Sequence, residues 1–520
     1  MDSGRSDPHA ASAEAARTGA RELSSLLQNG MTTSAELTSV LIERIEAVDR
    51  SGPSVRSVLR LNDRAVDEAA ELDAQRHAGH IRGPLHGVPV LVKDNIDTVR
   101  LGATAGSLAL EEMPLLADAP IVTQLREAGL LILGKANLSE WANFRGRPSA
   151  SGWSALGHQT LNPFALNRSP GGSSAGSAAG VAAGLAPISI GTETDGSILC
   201  PAAACGLVGL KPTVGLLSRT GIIPVACSQD TAGPMARSVT DVAHLLDVLA
   251  ACSVDREDPA MAGRPVRIDS YVAALSTDLR GLRIGVVRDE AYFGYHGVTD
   301  AVFEATLGAF TAAGAALVDP VTGLGAASRD DEMTVAYHEF KAGLEAYLAR
   351  RLATSDLSES RALPHRLADV IAFNETHPAE RLDLFPQDGL LRSEASAGLD
   401  NPAYLEARAA NRRRTREDGI DAVCLRLRLD ALVAATMSPT WQIDHIAGDS
   451  HSGSAWGQAA VAGYPSISLP IGEVQGLPVG LTIWGRAWTE ATLLRIASSV
   501  EDQIRYRPVP SYGESVNLLA

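Results

Sequence analysis

The sequence has 520 residues, of which 45% are hydrophobic and 20% are charged, proportions typical of a soluble globular protein with a large core. Asp and Glu (61) outnumber Lys and Arg (45), which gives a net charge of −16. This charge argues against binding to nucleic acid or to an anionic membrane surface.

The first half of the chain predicts alternating helices and strands. Residues 1–20 are polar and alanine-rich and are interpreted as a mobile or weakly docked leader. Thr33 and Glu36 form a T-x-x-E capping box ahead of a run with helical spacing of apolar residues. The predicted helices cover residues 34–49, 63–78, 119–128, 174–185 and 239–251. The predicted strands are short apolar runs and cover residues 88–92, 130–133 and 188–190.

The second half predicts a return to the same sheet after a helical segment. Residues 254–266 are interpreted as a linker, residues 300–430 as a mostly helical insertion that covers the core, and residues 506–520 as a tail. Strands are predicted at 283–287, 430–435, 466–470 and 479–484, with a turn at 476–478 and a closing helix at 488–502. The alternation predicts an α/β fold with a central mixed or parallel sheet.

The cysteines and the N-terminus argue against a disulfide-rich, zinc-binding or secreted protein. The five cysteines form no C-x-x-C pair and are odd in number, so neither a disulfide framework nor a zinc site is expected. The N-terminal residues lack the apolar region of a signal peptide, and no run of 18 apolar residues is present. We therefore expect a soluble cytoplasmic protein.

Lysine is unusually rare in this chain. Only four of the 45 basic residues are lysines, at positions 93, 135, 211 and 341. A desolvated lysine can lose its proton in a protein, whereas arginine cannot. Lys93 ends a predicted buried strand, so burial is expected to favour its neutral amine. Asp94 follows it, but neighbours along a strand face opposite sides, so the two are not expected to pair.

The segment SPGGSSAGSAAGVAAG at 169–184 admits several interpretations. It lacks the lysine of a phosphate-binding loop and the spacing of a dinucleotide-binding loop. Residues 172–176 match the G-x-S-x-G nucleophile elbow around Ser174, but a loop precedes them where that motif requires a strand. The alanine-rich continuation argues against a flexible linker and favours a tightly packed helix. In the segment 191–213, Ser197 taken alone is most simply a turn serine, although amides in such a turn can converge on an oxyanion.

Five stretches taken together closely resemble the amidase signature family of serine hydrolases. They are GVPVLVKDNID, GKANLSEWANFRG, SPGGSSAGSAAG, GTETDGSILCPAAACGLVGLKPT and SQDTAGPMARS, in that order. The resemblance extends from about residue 20 to about residue 505. Asp195, at a position where many members have glycine, and the segments 337–347 and 371–377 are most similar to bacterial peptide amidases within the family.

The resemblance implies the fold and the organisation of the chain. A single amidase signature domain is expected over residues 21–505, with a central mixed sheet covered by helices on both faces. Its core is expected at 80–250 and 430–505, and the insertion at about 300–430.

The resemblance also implies the site residues. It assigns Ser197 as the nucleophile, Ser173 as a bridging serine after a cis Gly172–Ser173 peptide, and Lys93 as the base. The oxyanion would be bound by the backbone amides of Thr194, Asp195, Gly196 and Ser197, and the acyl pocket would be walled by Ala142 and Asn143. Asp195 could also contact the substrate through its carboxylate. Lys135, Lys211 and His158 are expected to be structural, and Lys341 to lie in the pocket or on the surface. No cofactor or metal is expected.

The function implied is hydrolysis of carboxamides through an acyl-enzyme, with ammonia released. C-terminal amides of peptides are the expected substrates, and aryl, acyl or fatty amides are the alternative within the family. A non-catalytic binding protein and an aminoacyl-tRNA amidotransferase subunit remain further alternatives. The expected partners are a small-molecule or peptide amide, without nucleic acid or membrane, and the expected assembly is a monomer or homodimer.

Overall fold

The computed structural model describes residues 18–266, 270–324, 327–353 and 363–516. Its helices are α1 Ala20–Gln28, α2 Ser34–Arg44, α3 Ala65–His77, α4 Pro120–Glu127, α5 Ala175–Ala182, α6 Leu199–Ala204, α7 Val239–Ala250, α8 Gly297–Ala312, α9 Arg329–Ala353, α10 Leu367–Thr376, α11 Asp388–Glu394, α12 Pro402–Arg412, α13 Asp421–Leu427, α14 Gly457–Ala462 and α15 Glu490–Ile504. Its strands are β1 Val58–Leu61, β2 Pro89–Lys93, β3 Leu131–Ala136, β4 Trp153–Ser154, β5 His158–Gln159, β6 Ile188–Glu193, β7 Val208–Lys211, β8 Thr231–Ala236, β9 Arg283–Val287, β10 Ala316–Val321, β11 Ala431–Ala435, β12 Ser466–Val474 and β13 Leu477–Trp484.

Eleven of these strands form one mixed sheet in the order β1-β3-β2-β6-β8-β7-β12-β13-β11-β9-β10. Strand β2 runs parallel to both β3 and β6, whereas β6 and β8 are antiparallel. Because successive side chains of a strand face opposite sides, Val90 and Val92 pack into one apolar layer with α4 and α7. Leu91 packs into a second layer on the other face, with α2 and β3. The predicted mixed sheet with helices on both faces is confirmed.

The predicted helices and strands are largely present, and the differences lie at their ends and in the short strands. The capping box at Thr33 and Glu36 begins α2, whose last turns continue as a wider π-type segment through Arg50. The predicted turn at 476–478 is wrong beyond Gly476, because Leu477 and Pro478 already pair with β12. Strands β1, β4, β5, β7, β8 and β10 were not predicted.

The predicted N-terminal boundary also needs correction, and the predicted insertion contains a strand. The leader predicted at 1–20 lies outside the described residues up to position 17, but Ala20 is fully buried and begins α1. The segment predicted as a mostly helical insertion at about 300–430 also contributes one strand, because β10 pairs in parallel with β9 at the sheet edge. No helix in the described ranges is long and apolar enough to cross a membrane.

Candidate active site

Lys93 ends β2 inside a shell of hydroxyl groups. Its Nζ donates to the Oγ of Ser173 at 2.8 Å, the Oγ of Ser174 at 3.0 Å, and the Oγ1 and carbonyl oxygen of Thr192 at 2.9 and 3.2 Å. The side chain is completely buried. Burial lowers the pKa of this amine to about 7, against the opposing negative charges of Glu193 and Asp230. Lys93 can therefore exchange a proton near neutral pH.

The loop before α5 brings Ser173 to this amine. The Gly172–Ser173 peptide is cis, as the family resemblance implied. A side chain at Gly172 would lie 2.4 Å from the Oγ of Ser139, so only glycine fits. Ser173 is completely buried and contacts Lys93 directly.

The nucleophile-elbow interpretation of Ser174 is wrong. Its Oγ is fully buried, donates to the carbonyl oxygen of Thr192 at 3.0 Å and accepts from the amide of Thr192. The segment before it is a loop, so the strand required by that motif is missing. Ser174 instead fastens the loop to β6.

Strand β6 leads into a tight turn at residues 194–197. Gly196 has a φ of +78°, and a side chain there would lie 2.4 Å from the indole nitrogen of Trp456, so the turn needs glycine. Glu193 holds the far side of the turn, because its carboxylate accepts from the amides of Ile198 at 2.7 Å and Leu199 at 3.0 Å. The position of Ser197 is thus fixed by the strand before it and by α6 after it.

Four consecutive amides in this turn are unused. Within the described ranges, the N–H groups of residues 194–197 have no hydrogen-bond acceptor, although the carbonyl oxygens of Gly196 and Ser197 accept from Cys200 and Ser174. Buried N–H groups in proteins are nearly always paired. A run of free amides beside a serine is therefore suited to bind an oxyanion.

The turn opens onto a cavity of about 480 Å³. Ser197, 7% exposed, faces it, and its hydroxyl has no hydrogen-bond partner among the described residues. The wall beside the turn contains Ala142 and Asn143, both with a left-handed backbone, and Asn143 donates to the Oγ of Ser151 at 2.9 Å. One face of α9 also lines the cavity, through Arg329, Glu332, Met333 and Ala336.

Three carboxyl groups line this cavity, those of Asp195, Glu332 and Asp449, and the first two lie close together. Asp195 comes from the turn and Glu332 from α9, and burial raises the pKa of both carboxyl groups. The nearby negative charge of Asp195 adds to this effect at Glu332, whose pKa rises to about 8. Arg329 lies 3.9 Å from the Oδ2 of Asp195 and 3.8 Å from the Oε2 of Glu332.

Most of the predicted site residues therefore meet at one place. Lys93 and Ser173 are in contact, and Ser197, Thr194, Asp195, Ala142 and Asn143 line the same cavity. Gly196 supports the turn by packing against Trp456 and does not line the cavity.

The other three lysines and His158 lie away from the cavity. Lys135 and Lys211 are completely buried, and Lys135 donates to the carbonyl oxygens of Ile96 and Gly102. His158 is exposed on the β4–β5 hairpin. Lys341 pairs with Glu394, with the Nζ and Oε1 3.1 Å apart, outside the cavity lining.

Several residues at the site were missed by the sequence analysis. Thr192, which accepts from Lys93, and Asp230, which accepts from the hydroxyl of Thr194 at 2.5 Å, both lie in the quoted motifs and could have been selected there. Burial raises the pKa of Asp230 to about 6. The cavity residues of α9 and those near Trp456 carry no motif, so no sequence signal would have identified them.

Comparisons of the sequence and of the structure with known proteins point to the same family. A family model described as Amidase matches residues 36–494. The native peptide amidase of Stenotrophomonas maltophilia is 46% identical, and its crystal structure superimposes with a TM-score of 0.88 over 95% of this chain and 98% of that chain. An amidase family protein of Bacillus anthracis is 32% identical, with a TM-score of 0.85 over 97% of this chain and 94% of that one. A glutamyl-tRNA(Gln) amidotransferase subunit of Moorella thermoacetica is 35% identical over 95% of this chain and 98% of that protein.

Proposed function

This chain belongs to the amidase family and is a serine amidohydrolase, and from that premise we propose that it hydrolyses the C-terminal carboxamides of peptides. The observation that carries the substrate class is the 46% identity, over 95% of the chain, to a peptide amidase of known structure. The cavity supports it, because a polar wall facing an oxyanion turn suits a peptide better than a hydrocarbon chain.

The proposed chemistry begins with the neutral amine of Lys93. It accepts the proton of Ser173, which in turn accepts the proton of Ser197, while the Oγ of Ser197 attacks the amide carbon. A serine hydroxyl needs such a base to become a nucleophile. The free amides of the turn stabilise the negative charge on the tetrahedral oxygen, an interaction worth about 3–4 kcal/mol for each donor in comparable enzymes.

The same groups complete the turnover in reverse order. The proton stored on Lys93 returns through Ser173 to the leaving nitrogen, so ammonia departs and an ester to Ser197 remains. Water then attacks the ester and gives a proton to Lys93 by the same route. When the bond between the acyl carbon and the Oγ of Ser197 breaks, Lys93 returns that proton through Ser173 to Ser197, and the peptide acid is released. The direct contact between Lys93 and Ser173 supports this relay.

The test is a comparison of three amide classes. The purified enzyme is incubated with a peptide amide, an anilide and a long-chain fatty amide, and released ammonia or aniline is measured. We expect ammonia from the peptide amide, and mass spectrometry should show replacement of NH2 by OH with no internal cleavage. Rapid turnover of the fatty amide without turnover of any peptide amide would instead assign the enzyme to the alternative class.

A second candidate is a component of a tRNA-dependent amidotransferase, favoured by the 35% identity to the Moorella protein over nearly the whole chain. Such a protein would release ammonia from glutamine for use by a partner. Glutamine should therefore be included in the same assay. Turnover of glutamine that exceeds that of every peptide amide would support this candidate.

A further inference from the structure

Asp195 and Arg329 lie beside each other in the cavity lining, and both have unused hydrogen-bonding capacity. The guanidinium nitrogen lies 3.9 Å from the Oδ2 of Asp195, which is too long for a hydrogen bond. The two side chains are 25% and 54% exposed, and Arg329 makes no hydrogen bond among the described residues. A carboxylate acceptor and a cationic donor therefore stand side by side, both open to a ligand.

Residues behind Asp195 support it and the turn that carries it. Glu332 lies close to Asp195 and accepts from the side-chain amide of Gln229 at 3.3 Å. Gln229 also donates to the carbonyl oxygen of Thr194 at 3.2 Å, so the support is attached to the turn itself. Asp195 thus presents a fixed acceptor, whereas Arg329 at the start of α9 presents a donor beside it.

An adjacent acceptor and donor match one residue of an extended peptide. In a strand, the N–H and C=O of one residue point to the same side, and a neighbouring strand binds both of them. Asp195 lies two residues before Ser197, so their Cα atoms are at most about 7 Å apart. A peptide whose scissile carbonyl lies at Ser197 would therefore place its preceding residue beside Asp195.

We propose that Asp195 and Arg329 bind the N–H and the C=O of the penultimate residue of the peptide amide, as a neighbouring strand would. The inference rests on the proposed function and specifies it: the preferred substrate carries at least two residues, the penultimate one with a free backbone N–H. Simple amides lack both groups and gain nothing from this pair.

The first test uses substrate analogues on the unmodified enzyme. Acetyl-Ala-Phe-amide is compared with acetyl-lactyl-Phe-amide, in which an ester oxygen replaces only the N–H of the penultimate residue. A hydrogen bond to a charged acceptor contributes enough that kcat/KM should fall about tenfold or more for the lactyl compound. 3-Phenylpropanamide, without either group, should be the poorest of the three.

The second test replaces the two protein side chains that would make these contacts. In Asp195→Leu, the ratio of kcat/KM between the alanyl and lactyl substrates should approach one, whatever the absolute rate. Arg329→Met, at a largely exposed position, should reduce the preference for the alanyl substrate over 3-phenylpropanamide about tenfold. Asp331→Asn is the matched control, since Asp331 lies on the same helix but pairs with Arg414, and it should leave both ratios unchanged.

The outcomes separate this inference from the function on which it rests. If no peptide amide releases ammonia, the proposed function is wrong. If the alanyl and lactyl substrates are hydrolysed equally well, or if Asp195→Leu retains the full ratio, the function stands and the role of this pair is overturned.

Discussion

Two completely buried lysines lie on neighbouring parallel strands, and only one of them, Lys93, is proposed to act as a base. Lys135 of β3 pairs with Val92 of β2, whereas Lys93 follows Val92, so the two amines point to opposite faces of the sheet. Burial lowers the pKa of both, to about 7 for Lys93 and about 8 for Lys135. The difference in pKa alone is therefore too small to explain their different roles.

The partners of the two amines differ in their proportions. Lys93 contacts three hydroxyls, one of them from Ser173, and the carbonyl oxygen of Thr192. Lys135 contacts two carbonyl oxygens and the hydroxyl of Thr98, and its Nζ lies 3.7 Å from the carboxylate of Asp94. Carbonyl oxygens cannot give a proton, but a hydroxyl can accept one and donate another. The hydroxyl-rich surroundings of Lys93 therefore support the proposal that it is the base.

The largest loss of activity is expected for a substitution of Ser197, the proposed nucleophile. Ser197→Ala should reduce ammonia release from a peptide amide by about 10⁴-fold or more, because the acyl-enzyme cannot form. The melting temperature should stay close to that of the parent, since the lost hydroxyl has no partner. A fluorophosphonate should label the parent on the peptide containing Ser197, and labelling at Ser174 would contradict the assignment.

A substitution of Lys93 should reduce the activity nearly as strongly. Lys93→Arg and Lys93→Ala should both lower kcat about 10³-fold, because arginine keeps the charge but cannot accept a proton. Steady-state ammonia release and circular dichroism of both variants measure this. Substantial activity in the arginine variant would mean that Lys93 supplies charge and does not act as the base.

The pH dependence should follow the neutral form of Lys93. Its pKa of about 7 predicts that kcat/KM falls about tenfold for each pH unit below 7 and levels off above it. Because the negative charge of Glu193 raises this pKa, Glu193→Gln should move the acid limb to lower pH. An acid limb that stays in place in that variant would assign the titration to another group.

The smallest effect on chemistry is expected at Lys135. Lys135→Met should leave kcat within about tenfold but destabilise the fold by about 3–5 kcal/mol, because Asp94 and two carbonyl oxygens lose their buried partner. Urea unfolding and the activity of the folded fraction separate the two quantities. A loss of kcat comparable to that of Lys93→Ala would remove the distinction between the two lysines.

The sheet was predictable where its strands are apolar runs, and less so where they are not. Strand β8 contains Gly233 and Pro234, and its composition is typical of a turn, yet it pairs with β6 and β7 in the middle of the sheet. Strand β10 carries Pro320 and a charged residue, as edge strands often do. In both cases, pairing with neighbouring strands decides the structure, and local sequence does not carry that information.

The candidate site likewise contains residues that the sequence could predict and residues that it could not. Lys93, Ser173 and Ser197 lie in sequence motifs, so their proximity could be expected from the family resemblance, and the structure places Lys93 and Ser173 in contact. Arg329 and Glu332 come from a part of the insertion that lies outside the segments singled out in the sequence. Their place in the cavity depends on how α9 docks against the core, which the sequence alone does not determine.

The contribution of α9 to the cavity has a consequence for engineering. Met333 and Ala336 of this helix line the cavity, whereas Lys93 and Ser173 lie in other elements. Substitutions at positions 333 and 336 therefore change the shape of the cavity without removing a proposed catalytic group. Glu332 does not offer the same freedom, because Gln229 connects it to the carbonyl oxygen of Thr194 in the turn. Positions 333 and 336 are the ones to vary in laboratory evolution of substrate preference.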